Sequence, residues 1–239
     1  MNPIETQRKY YETTAGHYDD LHLVEEQHQL ASELLMAYCV HYRFATILDV
    51  GAGTGRFQRA IKTRLPDVRV TGVEPVEALR KIGHTSGIQE FELIDGDVQS
   101  LPFAEGSFDV VSEFAMLHHV PNPDLAVEEM MRVASKAVFI SDANLFGQGN
   151  VWVRLAKRLL DSMGLWRMAV LLKTKGKGYH ISETDGLFYP YSAFCHFRKL
   201  RRFSKRLHIT TFDTSSPDAL FGASHVCILA IKKAKTLPL

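Results

Sequence analysis

Asp49-Val-Gly-Ala-Gly-Thr-Gly55 is the stretch on which the reading of this chain turns. It ends a short aliphatic run, Thr46-Ile-Leu-Asp-Val50, of the kind a buried strand requires. Gly51, Gly53 and Gly55 let the backbone turn sharply and approach a ligand closely. A helical pattern follows over residues 55–65 and closes at Pro66. Its first turn offers free N–H groups to negative charge. In open α/β sheets ligands bind outside the carboxyl ends of the strands, so the expected site is this loop.

Working outward, further strands are expected at residues 68–73, 90–94, 108–112 and 137–141. Helices are expected at about 76–82 and at 124–134, with Asp124 capping or favouring the first turn. Strands alternating with helices at this spacing imply βαβ units and a parallel sheet covered on both faces. The rhythm stops after Ser141 and resumes at 207–212 and 225–231, read as an antiparallel pair at one edge. The expected fold class is α/β: a seven-stranded, mostly parallel, Rossmann-like sheet with an antiparallel edge strand. All 239 residues form one domain on this reading. Residues 1–45 are an N-terminal helical cap, 46–142 the core, 143–206 an inserted segment and 207–239 the last two strands. The helix or helix pair of residues 21–42 lies across the strand ends or along one face of the sheet.

The loop is G-x-G-x-G, one residue shorter than the dinucleotide fingerprint, and an acid precedes it. Asp49 would repel a pyrophosphate but suits an amine. Glu74 ends the second strand, where a carboxylate grips ribose hydroxyls. Asp97 follows the third, where a carboxylate accepts from an exocyclic amine such as that of adenine. A glycine loop and three acids at successive strand ends describe a ligand with an amine, a ribose and an adenine.

These residues resemble class I S-adenosylmethionine-dependent methyltransferases. Ile47-Leu-Asp-Val-Gly-Ala-Gly-Thr-Gly-Arg56 is similar to their first motif and Val73-Glu74-Pro75 to their second-strand acid. Gly96-Asp97-Val98-Gln-Ser-Leu-Pro102 and Gly106-Ser-Phe-Asp-Val-Val111 resemble the next two signatures. Leu117-His-His-Val120 with Glu128-Glu-Met-Met-Arg-Val133 resembles the small-molecule branch that includes ubiquinone and menaquinone methyltransferases. Tyr11-Glu-Thr-Thr-Ala-Gly-His-Tyr-Asp19 is similar to a segment that folds over the cofactor there. Two departures stand out: Ala134-Ser-Lys-Ala-Val138 lacks the usual proline and glycines, and Pro75-Val76 replaces a small polar residue and a methionine.

The resemblance implies S-adenosyl-L-methionine as cofactor and methyl transfer to a small molecule as activity. Asp49 would meet the cofactor's amino group, and Gly51, Ala52, Gly53 and Gly55 would line its methionine and ribose. Glu74, with Pro75 beside it, would hold the ribose hydroxyls; Asp97 and the Val98 N–H would meet adenine. Glu113 and Phe114 would line the methionine, while Tyr11 and Tyr18 would close over it. In-line displacement at a sulfonium needs mainly positioning and exclusion of water. Candidates for a general base are His118, His119 and Asp142. Substrate contacts are expected among Lys173, Lys175, His180, Tyr189 and Tyr191. No metal ligand set is expected. Two alternatives are a non-catalytic, cofactor-binding or regulatory homologue and a nucleotide-dependent oxidoreductase.

Residues 151–206 carry 13 Lys+Arg against 3 Asp+Glu, whereas the remainder carries 15 against 24. Residues 151–163 have an apolar arc (Trp152, Val153, Leu155, Ala156, Leu159, Leu160, Met163) opposite a basic one (Arg154, Lys157, Arg158). Three readings are open: the apolar arc packs on the core, residues 151–172 lie on a membrane surface, or the basic arc meets an anionic acceptor. Nucleic acid fits the charge but ranks lower, because no RNA-binding module is apparent. A composition of 46% apolar and 23% charged residues excludes dominant disorder. No apolar run is long enough to span a bilayer, and the absence of a leader-like N-terminus points to the cytoplasm. The three cysteines, too few and too scattered for a disulfide framework or zinc knuckle, read as packing residues. Oligomeric state is left open.

Overall fold

The computed structural model describes residues 3–19, 26–182, 185–212 and 222–233. In chain order the core elements are α1 (Pro3–Thr14), α2 (Glu26–Tyr42), β1 (Thr46–Val50), α3 (Arg56–Arg64), β2 (Arg69–Val73), α4 (Glu77–Thr85) and β3 (Leu93–Ile94). These are followed by β4 (Phe108–Phe114), α5 (Pro123–Val133) and β5 (Ala134–Ala143). The inserted segment holds α6 (Val151–Ser162), α7 (Trp166–Lys173), a hairpin of β6 (His180–Ser182) and β7 (Gly186–Phe188), and α8 (Phe197–Phe203). Strands β8 (Ser204–Thr211) and β9 (His225–Lys232) end the fold.

Seven strands form one sheet in the order β3-β2-β1-β4-β5-β9-β8. The first five run parallel, and β9 is antiparallel to both β5 and β8. The α/β class, the mostly parallel sheet and the antiparallel last pair at one edge match the expectation. Order reverses between β1 and β4, and that switch point puts the end of β1 at the mouth of a crevice. Side chains alternate across the pleat, as the two-residue period demands. Ile47, Val110, Ala137 and Phe139 pack with Leu35, Cys39, Phe57 and Ile61 on one face. Leu48, Val111, Val138 and Ile140 pack with Val127, Met130 and Leu200 on the other.

Several local expectations are corrected. Only Leu93–Ile94 pairs as a strand, because Glu92 N–H closes a turn on Gln89 O (2.9 Å). Asn122 is the cap of α5: its side chain accepts from Leu125 N–H, and Pro123 opens the helix, while Asp124 favours the first turn from within it. Asp124 also pairs with Lys199 (2.8 Å). Helix α5 runs directly into β5 at Ala134, so the missing proline and glycines have no turn to serve. β8 begins at Ser204, three residues before the expected start of that strand at 207. α2 lies along one face of the sheet, while α1 covers the strand ends through contacts with β7 and α4. Residues 21–25 of the expected first helix lie outside the described residues.

Helix α6 overturns the packing of its apolar arc on the core. None of its residues is buried; Trp152 is 79% exposed and Leu159 60%. The basic side turns inward: Lys157 Nζ donates to Leu145 O (2.8 Å) and Gln148 O (3.0 Å), and Arg154 Nε to Gly149 O (2.8 Å). Those carbonyls end the turn before the helix and need donors, so the helix is rolled with its apolar arc toward solvent.

The segment before α6 is tied to the one before β9. Asn144 N–H donates to Ser224 O (2.7 Å), and a Cβ on Gly147 would stand 1.8 Å from Ala223 O. Gly147→Ala is expected to destabilise the fold by about 1–3 kcal/mol or more, since the obstacle is backbone. A lowered urea midpoint with an unchanged slope checks this.

Candidate active site

The glycine loop is left-handed at all three glycines, with φ of 69°, 58° and 73° at Gly51, Gly53 and Gly55. Only glycine adopts this at no steric cost, and space forbids more: a Cβ on Gly51 would stand 2.3 Å from Met116 Cγ. Gly51 N–H and Ala52 N–H both donate to Val73 O (2.8 and 3.1 Å), drawing the loop over the end of β2.

Two adjoining cavities open here. The first, of about 290 Å³, is lined by Gly51, Glu74, Pro75, Asp97, Val98, Phe114 and His119, among others. The second, of about 540 Å³, is lined by Asp49, Gly51, Ala52, Arg56, Phe114, His118, His119 and Asp185, among others. Tyr11 and Tyr18 line both and meet edge to face with ring centroids 5.8 Å apart. Together they form one cleft along the carboxyl ends of β1 to β4. Ala115, on its wall, is left-handed at φ 53°, a strained conformation for a residue with a Cβ.

Four acids are buried at strand ends: Asp49, Glu74, Glu113 and Asp142. Asp49 accepts only from the Ser112 hydroxyl (3.1 Å) among the contacts described, and burial pushes its carboxyl up to about 7. Glu74 accepts from Gly53 N–H and Val76 N–H (2.9 Å each), yet burial still pushes it up to about 7. Asp97 is exposed at the rim and accepts from Gln99 N–H (2.8 Å).

Glu113 lines neither cavity, contrary to expectation. Its two oxygens accept from Met116 N–H (3.0 Å) and Ser141 N–H (2.9 Å), binding β4 to β5 and to the next turn. Burial, with Asp142 nearby, raises it well above the usual carboxylate range.

His118 and His119 sit on one 3-10 turn, Leu117–His119, with ring centroids 4.0 Å apart. His118 Nδ1 donates to Asp142 Oδ1 (2.7 Å), and its Nε2 faces Asp185 Oδ2 (3.4 Å). Burial alone would lower this imidazole, but the carboxylates of Asp142 and Asp185 override it and push it up to about 10. Asp142, for all its burial, is held below its ordinary value by His118. His119 Nδ1 lies 2.7 Å from Leu187 O, which requires a proton on that nitrogen. The nearby Gln7 Nε2 (3.1 Å) is then a contact rather than a donor. His119 Nε2 faces Asp185 Oδ1 (3.3 Å). Both Nδ1 atoms are therefore engaged by hydrogen bonds, both Nε2 atoms face the Asp185 carboxylate, and Asp142 is spent on His118. This arrangement does not favour the expected general-base role.

Asp185 and Gln7 escaped the sequence reading. Asp185 lies in the loop before β7, 67 positions beyond His118, and no local motif marks it. Gln7 Oε1 accepts from Leu187 N–H, clamping α1 to the hairpin. Among the expected substrate residues, Lys173, Lys175, His180, Tyr189 and Tyr191 line neither cavity. Lys173 and Lys175 are exposed. His180 stacks on Phe188, Tyr189 N–H donates to His118 O (2.8 Å), and Tyr191 is buried in the core against His196.

Residues 48–140 match the family described as Methyltransferase domain. Demethylmenaquinone methyltransferase of Staphylococcus aureus is 30% identical over 134 residues, which are 54% of this chain and 56% of that protein. The match thus spans little more than half the length of these curated relatives. Among solved structures, a SAM-dependent methyltransferase of Thermotoga maritima, described as a possible histamine N-methyltransferase, superposes with TM-score 0.58 at 19% identity. That match covers 94% of this chain and 99% of the other. Magnesium protoporphyrin IX methyltransferase of Synechocystis, with bound SAH, gives TM-score 0.61 at 13% identity, covering 95% and 98%. Residues 48–140 thus match a methyltransferase domain, and the fold of the chain is the one seen in these solved methyltransferases.

The buried acids make stability depend on pH. A carboxyl raised in the folded state stabilises the fold below its unfolded value and loses that contribution as pH rises through the folded one. For Asp49 the window runs from 3.8 to about 7. Asp49→Asn is expected to melt with a shallower loss of Tm between pH 5 and about 7.5 than the parent chain; identical slopes would remove Asp49 as the source.

Proposed function

We propose that this chain transfers a methyl group from S-adenosyl-L-methionine to a small-molecule acceptor. The observation that carries the reading is the pair of buried, under-compensated acids, Asp49 and Glu74, flanking a left-handed glycine loop at the sheet's switch point. The relatives' names support it: they methylate demethylmenaquinone and magnesium protoporphyrin IX, both small molecules.

On this reading the first cavity takes the nucleoside. Glu74 accepts from the ribose hydroxyls, and Asp97 with Val98 N–H meets the adenine edge. Asp49, with Gly51 beside it, would hold the ammonium group of the methionine portion. Tyr11, Tyr18 and Phe114 wall the sulfonium from water. The acceptor enters the second cavity, beside His118 and His119. The cofactor, when bound, would supply an already activated methyl group, so the chain's own part is alignment and a dry site. Helix α1 and the β6–β7 hairpin, joined by Gln7, supply that cover.

An anionic group on the acceptor would meet Arg56, which lines the second cavity, rather than Lys173 or Lys175. The outward apolar arc of α6 and α7 supports peripheral contact with an anionic bilayer. Trp152, Leu155, Leu159, Met163, Met168 and Leu172 are exposed, and Arg167, Lys173, Lys175 and Lys177 are exposed on the same segment. Among the described residues no helix is long and apolar enough to cross a membrane.

Calorimetry with S-adenosylhomocysteine tests the cofactor reading. Hydrogen bonds to a charged group contribute about 1.5–3 kcal/mol each, so Glu74→Gln should weaken binding by about tenfold or more. Unaltered affinity would refute the ribose assignment. Vesicle co-sedimentation tests the surface. Trp152→Ser with Leu159→Ser should abolish binding to phosphatidylglycerol-containing vesicles without lowering Tm. Binding kept by the double variant, or self-association through this face on gel filtration, would overturn it.

A further inference from the structure

We propose that His118, His119 and Asp185 form a binding site for one divalent cation of the zinc class, in the second cavity of the cleft. The proposal deepens the reading of that cavity as the acceptor half, and as a statement about catalysis it rests on that reading.

Three observations carry it. The first is the donor geometry. One ligand atom from each residue lies within 4.8 Å of the other two. Both Nε2 atoms face the Asp185 carboxylate, His118 at 3.4 Å and His119 at 3.3 Å. Those separations are long for N–H···O hydrogen bonds, which cluster near about 2.9 Å. Each runs to a different oxygen of that carboxylate, and each is the spacing of two ligand atoms on one tetrahedral ion with bonds of about 2.0–2.2 Å, about 3.3–3.6 Å.

The second observation is the layer behind the donors. A metal-bound imidazole almost always donates its other N–H to a carboxylate or a backbone carbonyl, which fixes the tautomer. His118 donates Nδ1–H to Asp142 (2.7 Å) and His119 donates Nδ1–H to Leu187 O (2.7 Å), one of each kind. Asp142 also accepts from His118 N–H (3.3 Å), so ring and backbone are held together. Both Nε2 atoms are thereby turned to the Asp185 carboxylate, and two consecutive histidines can do this because a 3-10 turn sets their rings side by side.

The third is the open side. His118, His119 and Asp185 all line the second cavity with Asp49, Gly51 and Ala52. Three protein ligands with an open fourth position are the pattern of a reactive metal site, whereas purely structural sites are closed by four. A hydroxyl of the acceptor bound at the fourth position would give up its proton to solvent more readily, because the cation stabilises the oxyanion. This assigns the two histidines work that neither could do as a free base. The two nitrogen donors and one carboxylate favour zinc or its neighbours over magnesium or calcium, which prefer all-oxygen sets.

The test uses the full chain, stripped with a chelator, dialysed and titrated with cobalt(II) alone while the visible spectrum is recorded. One equivalent should produce the intense band of tetrahedral cobalt, and zinc should displace it. His119→Gln and Asp185→Asn should each abolish the band, and two variants guard against one failing to fold, which far-UV melting reports. Asp142→Asn should keep the band but weaken cobalt binding by about 10–100-fold, as loss of a supporting partner does. Absence of the band in the parent chain, or the same band and affinity in both ligand variants, would overturn the proposal. A plain ion-pair cluster gives the first of these results and surface histidines give the second. S-adenosylhomocysteine calorimetry on the same samples separates the two readings. Binding without the cobalt band removes the cation alone; the band without binding removes the cofactor assignment and leaves the cation site standing.

Discussion

Four carboxylates buried at the ends of adjacent strands are the constraint around which the rest of this molecule is arranged. Asp49, Glu74, Glu113 and Asp142 are each no more than 5% exposed, and a charge removed from water must be compensated or lose its ionisation. The protein treats them in pairs. Glu113 is surrounded by backbone N–H groups and serves as a clamp between β4, β5 and the following turn. Asp142 is matched to His118. Asp49 and Glu74 receive less, and both are pushed up to about 7. Both line the cleft, and on the proposed reading a ligand bringing an ammonium and hydroxyl groups would complete them.

The cover over the cleft comes from the two parts of the chain that lie outside the βαβ rhythm. Helix α1 precedes the sheet and the β6–β7 hairpin interrupts it, yet Gln7 joins them and Asp185 and Leu187 bring the hairpin to the histidine pair. Gly186 permits this approach, since a Cβ there would stand 2.5 Å from Gln7 Oε1 and 2.6 Å from Tyr10 Cδ1. The second cavity of the cleft is thus assembled from loops on a rigid sheet, the usual division between scaffold and specificity. The apolar arc of α6 turns outward on the same insertion, so cleft cover and exposed apolar surface share one segment.

The glycine loop, the parallel order of the first five strands and the acids at β1 and β2 were legible in the chain itself. Each is written in a local pattern: glycine where φ must be positive, aliphatic runs where both faces are buried, an acid one or two residues past such a run. Glu113 shows where that logic stops. Its position after a strand looks like that of Glu74, but an acid at a strand end can turn toward the cleft or toward neighbouring amides. Only the placement of Met116 and Ser141 decides between them.

Helix α6 makes the same point at larger scale. Its periodicity separates an apolar arc from a basic one, but a period carries no information about which arc meets the protein. The carbonyls of Leu145 and Gln148 draw Lys157 inward and thereby turn Trp152 and Leu159 to solvent. Asp185 completes the cluster around His118 and His119 from 67 positions away, a distance at which no spacing rule operates. The sequence alone determined the scaffold and the glycine-loop wall of the cleft, because both follow from short-range backbone preferences and the burial of strands. The histidine side of the cleft and the outward face of the insertion were decided by tertiary structure, because they depend on which distant groups compete for the same hydrogen-bond partners.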